Sequence, residues 1–131
     1  MNIILGIDYG RKKMGLAIAD SDAKLADPFT VLHYSSTEEM FTKLGKIINS
    51  MQLATIVVGV SENQMAIEIK NFVKALEQQT KIKIEEFDET LTSHDANLLA
   101  KEAGIKRTKR KSMEDAYAAA LMLQGYLDNN P

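Results

Sequence analysis

The sequence predicts an α/β fold, a five-stranded mixed sheet with helices on both faces, and three observations point to it. Short unbroken apolar runs, Ile3–Ile7 and Thr55–Val60, suit strands covered on both sides. Two apolar runs, Ile3–Ile7 and Met14–Ala19, flank the glycine-and-charge turn Tyr9–Lys13, which suits a hairpin. Segments of helical period then separate the later strands, so those strands run parallel to the first. The expected order is β-β-β-α-β-α-β-α-α, one domain over residues 1–131.

The opening hairpin, Met1–Asp20, puts Asp8 where the first strand leaves the sheet. A polar stretch, Ser21–Ala26, leads to a third strand over Asp27–His33, with Pro28 at its start, a position suited to an edge. Ser35-Ser36-Thr37-Glu38-Glu39 combines hydroxyl caps with carboxylates that favour a helix N-terminus. Met40, Phe41, Leu44, Ile47, Ile48 and Met51 follow at helical spacing and form one buried stripe.

After the strand Thr55–Val60 and the polar connection Ser61–Ala66, Ile67, Phe72, Val73 and Leu76 mark a second helix ending near Gln79. Lys81–Phe87 alternates as a half-exposed strand near the sheet's edge. A third helix starts near Thr92 or Ser93 and stops at Gly104. The basic segment Lys106–Lys111 precedes a last helix from about Ser112 to Leu127, whose small residues Ala118-Ala119-Ala120 allow close approach to the sheet. Asp128–Pro131 should fray.

Composition sets outer limits. At 131 residues the chain buries roughly two-thirds of its unfolded surface, enough to fold without staples. With no cysteine, disulfides, thiolate zinc sites and cysteine nucleophiles are excluded. The lack of a signal peptide and of a long apolar stretch makes a cytoplasmic location the expectation, with no membrane partner. The net charge is −2, yet Lys106, Arg107, Lys109, Arg110 and Lys111 place five positive charges in six positions, and Arg11, Lys12 and Lys13 follow one another. Such segregation permits a basic contact surface for nucleic acid; solvated loops are the plainer reading.

Carboxylates at Asp8, at Asp88 and Glu89, and at Asp115 fall where strand ends and a helix start can gather. Converging acids repel and favour a divalent cation, with oxygen ligands of the kind Mg2+ or Mn2+ accepts. Each acid has a second reading. Asp8 can bond its own turn through Gly10. Asp88 and Glu89 can be surface charges. Asp115 completes Ser112-x-x-Asp115, a capping box in the first turn of the last helix.

The opening GIDYGRKKMGLAIAD, the strand IVVGV, the segment DETLTS and the C-terminal EDAYAAALMLQGYLD together resemble the YqgF/RuvX family. These Holliday-junction-resolvase-like proteins are described as pre-16S rRNA nucleases and have an RNase H-like fold. The resemblance implies Asp8, Glu89 and Asp115 as catalytic and metal-binding residues, with Asp88 as second choice for the metal. It implies a two-metal Mg2+ or Mn2+ site that hydrolyses phosphodiester bonds. Arg11, Lys12, Lys13, Lys106, Arg107, Lys109, Arg110 and Lys111 would then hold the nucleic-acid backbone. The expected work is 5′-end processing of pre-16S rRNA in ribosome biogenesis, with a ribosomal particle as a further partner and a monomer or weak homodimer as the working form. Two departures from the family pattern stand out: Thr90 in place of an arginine, and a Ser61–Met65 loop without proline or glycine.

Three other readings compete. A Holliday junction resolvase would cut DNA as a symmetric dimer. A non-catalytic protein would dock RNA or the ribosome through the basic segment. A strand-Asp-x-Gly hairpin also opens sugar-kinase and actin-like ATP-binding domains, but those clamp nucleotide between two domains, and this chain has the length of one.

Overall fold

β1 (Ile3–Asp8) is the central strand of the sheet, as a run without polar residues before Asp8 requires. The computed structural model describes residues 2–60, 65–88 and 107–130. β2 (Lys13–Asp20) pairs antiparallel with β1 through the hairpin, and β3 (Leu25–His33) pairs antiparallel with β2 at the sheet's edge. β4 (Leu53–Val60) and β5 (Lys83–Asp88) lie parallel to β1 on its other side. The order is β3-β2-β1-β4-β5, the mixed five-stranded sheet that the sequence predicts. The expected helix between about residue 92 and Gly104 lies outside the described residues.

Among the described residues, two helices cover one face. α1 (Thr37–Asn49) begins as its sequence indicates: Ser36 Oγ accepts the Glu39 N–H at 3.1 Å, and the Glu39 carboxylate accepts the Ser35 N–H at 2.7 Å. α2 (Ala66–Gln79) follows β4. Leu44, Phe72 and Leu76 close over Leu5, Ile7 and Ile56 in one apolar layer. α3 (Arg107–Asn129) covers the opposite face, where Ala119, Met122 and Leu123 meet Ile4, Ala17 and Val57. Full burial of a side chain such as Leu123 contributes about 1.5–3 kcal/mol.

Several expected boundaries move: Met51 falls beyond α1, β5 runs Lys83–Asp88 rather than Lys81–Phe87, and two further shifts have clear causes. β3 starts at Leu25, and Pro28 falls inside the strand rather than at its head. A register shift between Leu16 and Ala17 passes over Phe29, and this bulge at an edge accommodates a residue without an N–H. The last helix starts at Arg107 rather than near Ser112. Lysine and arginine are good helix formers, and no glycine or proline stands between Ile105 and Gln124 to stop the turn.

Candidate active site

The site is built by one cross-strand pair and one close helix approach. Asp8, the last residue of β1, pairs with Gly15 of β2, and directly opposed residues of an antiparallel pair turn to the same face. That face carries α3, whose backbone lies against Gly15: a β-carbon there would stand 1.8 Å from the Asp115 carbonyl oxygen. Further along, Leu123 packs over Gly6, where a β-carbon would meet it at 3.0 Å. Two glycines thus let the helix settle on the sheet, and the helix delivers Asp115 beside the end of β1.

The capping-box reading of Asp115 fails here. Ser112 lies inside α3, so it is not an N-cap, and Asp115 is not in the first turn. Its carboxylate instead meets the Lys13 ammonium at 3.0 Å. Lys13 shares the α3 face with Gly15, two positions along the same strand. Hydrogen bonding and charge from Asp115 hold the Lys13 amine above its ordinary range. A carboxylate that draws an ammonium at its open side has the donor chemistry that a hard divalent cation accepts. Asp115 thus offers oxygen donors of the kind Mg2+ or Mn2+ accepts, and Asp8 ends its strand on the same face of the sheet.

The turn that follows Asp8 is fixed from three directions. Tyr34 donates its hydroxyl to the Gly10 carbonyl, and its own N–H bonds the Lys12 carbonyl at 3.0 Å. Burial first, then the neighbouring Tyr9, pushes the Tyr34 phenol well above the ordinary range. Arg11 sets its guanidinium on Glu68 of α2, with Nη2 to Oε1 at 2.7 Å and Nε to both carboxylate oxygens at 3.0 Å. The Glu68 carboxyl is held below its usual range by that hydrogen bond. The Tyr9 ring lies on Phe72, with centroids 4.8 Å apart. Sequence reasoning missed Tyr34 and Glu68. Their partners stand far along the chain, and local spacing carries no signal of them.

Asp88 ends β5, where strand alternation gives it the α1 and α2 face along with Ile84 and Val60. It therefore lies across the sheet from Asp8 and Asp115. Lys12 is exposed in the turn. Arg107, Lys109, Arg110 and Lys111 belong to the opening turns of α3, not to a loop. Glu89, Thr90, Lys106 and 61–64 of the middle loop lie outside the described residues. Among the described residues, no three His, Asp or Glu side chains group closely enough to hold a metal ion by themselves, and no helix is long and apolar enough to cross a membrane.

The family model RuvX, described as Holliday junction resolvase, matches residues 2–129. A protein of Natranaerobius thermophilus is 38% identical over 131 residues, covering 95% of this chain and 93% of its own length. One from Endomicrobium trichonymphae is 36% identical over 135 residues, covering 98% and 96%. Both bear the name "Putative pre-16S rRNA nuclease". Among solved structures, the chain is similar to Thermus thermophilus RuvC in complex with a Holliday junction substrate. That match has a TM-score of 0.59 and 16% identity, over 99% of this chain and 97% of that one. The Fowlpox virus resolvase bound to Holliday junction DNA gives 0.64 at 12% identity, over 97% of both chains. These likenesses bear on the fold, which is the RNase H-like one. By its match along almost the whole sequence, the chain belongs to the RuvX family.

Proposed function

We propose that residues 1–131 form one metal-dependent nuclease domain that hydrolyses phosphodiester bonds in 5′-end processing of pre-16S rRNA. The observation that supports this reading is that Asp8 pairs with Gly15 and the Asp115 backbone lies against that same glycine, with the Lys13 ammonium drawn to the Asp115 carboxylate. The names of the family relatives supply the substrate class. That substrate would put the work in the cytoplasm.

Asp8, Asp115 and Glu89 would hold two Mg2+ or Mn2+ ions. When bound, these lower the pKa of a coordinated water and neutralise charge building on the phosphate. The chain's own part is positional. Asp8 is fixed by the sheet's centre, and Asp115 by the seat of α3 on Gly15. The basic residues at the start of α3 would hold the RNA backbone and make binding steeply salt-dependent. The family's description and its resolvase neighbours favour a second reading, cleavage of a four-way DNA junction.

One assay separates these. A precursor rRNA fragment and a DNA junction are offered side by side with Mg2+ or Mn2+, with Asp8→Asn as control. Cleavage of the rRNA fragment, abolished in Asp8→Asn with the fold retained, is the expected result. Preferential cutting of the junction supports the second reading, and undiminished cleavage by Asp8→Asn overturns the site. Neither cleavage nor metal binding would leave a non-catalytic RNA- or ribosome-binding protein.

A further inference from the structure

The Lys13 ammonium stands 3.0 Å from Oδ2 of Asp115, on the face that Asp8 shares. Arg11, two positions earlier, turns away to Glu68 of α2, so Arg11 and Lys13 have separate tasks. We propose that Lys13 is a positioning residue that couples metal to nucleic acid: it sits on Asp115 in the metal-free protein, yields that carboxylate to a divalent cation, and turns its charge to the substrate phosphate. This rests on the metal-dependent reading above.

Three features make the exchange feasible. Lys13 keeps 54% of its side-chain surface exposed, on a flexible four-carbon stem whose ammonium moves without disturbing the core. Asp115 is anchored through its backbone on Gly15, so the lysine and not the carboxylate is the mobile partner. Finally, an ammonium and a divalent cation on one carboxylate repel, and a phosphate brought beside the metal offers the displaced ammonium a new anion. The metal would therefore raise affinity for nucleic acid, and nucleic acid would raise affinity for the metal by the same factor.

The test is calorimetric titration of Mn2+ into the wild-type protein, Lys13→Met and Lys13→Arg, without nucleic acid. Lys13→Met is expected to bind Mn2+ about two- to five-fold more tightly, the range set by removing one exposed ion pair. Lys13→Arg, which keeps the competing charge, should stay near wild type. A second titration uses a fluorescent phosphorothioate oligonucleotide that resists cleavage. Its gain in affinity on adding Mn2+ should shrink in Lys13→Met. Equal Mn2+ affinity in wild type and Lys13→Met, or an undiminished gain, overturns the coupling while leaving the metal site standing. No Mn2+ binding in any of the three proteins overturns both.

Discussion

Gly15 lies so close beneath the carbonyl of Asp115 that a β-carbon on Gly15 would stand 1.8 Å from that oxygen. The contact is between two backbones, so no side chain can rotate away to make room. Gly15 is also the cross-strand partner of Asp8. One missing methyl group therefore sets how near α3 brings Asp115 to the end of β1.

Gly15→Ala should accordingly lift the start of α3 off the sheet. Overpacking of this kind costs about 1–3 kcal/mol, read as a lower urea midpoint. The site should suffer separately: Mn2+ affinity should fall at urea concentrations where the variant remains folded. An unchanged midpoint together with unchanged Mn2+ affinity would mean that the helix shifts at no cost, and that the glycine does not set the site.

Much of this is legible in the sequence. The apolar run ending on Asp8, the capped start of α1 and the parallel β4 are local patterns of period and cap, and the structure follows them. The start of α3 was not legible. Arg107–Lys111 reads as a charged loop, although the same residues are good helix formers once no glycine intervenes. A helix start at Ser112 would make Asp115 a cap; the start at Arg107 puts it inside the helix. Its real neighbour, Lys13, is remote in sequence and is brought near by the sheet and the seat of α3. The opposite face of Asp88, by contrast, follows from alternation with Phe87, which packs under α3.

Arg11 gives a prediction that turns on its ion pair with Glu68. Its guanidinium is committed to Glu68, which holds the β1–β2 turn against α2. Glu68→Gln removes an anion from beside the basic turn and releases Arg11. Since the pair is surface-exposed, the stability loss should be small. Affinity for a single-stranded oligonucleotide at low salt should rise, and its salt dependence should steepen by about one released counterion. Weaker binding in Glu68→Gln would show instead that Arg11 must be held by Glu68 to reach the backbone.

The last prediction concerns pH on the face of the sheet under α3. Tyr126 donates its hydroxyl to Glu85, and its ring stands edge-on to Phe87 with centroids 6.1 Å apart. Burial first, and then Glu85, push the phenol from its ordinary 10.0 up to about 12. The fold therefore favours the protonated phenol. The stability this contributes is full below pH 10.0 and is lost as pH rises toward about 12. Glu85 runs the other way. The Tyr126 hydrogen bond, with Lys83 assisting at 3.2 Å, holds its carboxyl below the usual 4.5. Its contribution is present above that value and disappears as pH falls below it. Tyr126→Phe removes the donor, so urea midpoints followed across both windows should show a shallower alkaline decline and a smaller acid loss than wild type. The tyrosinate absorbance that disappears in Tyr126→Phe should be the component titrating near 12. If the missing component titrates near 10 instead, the hydroxyl faces water and the Glu85 bond does not hold in solution.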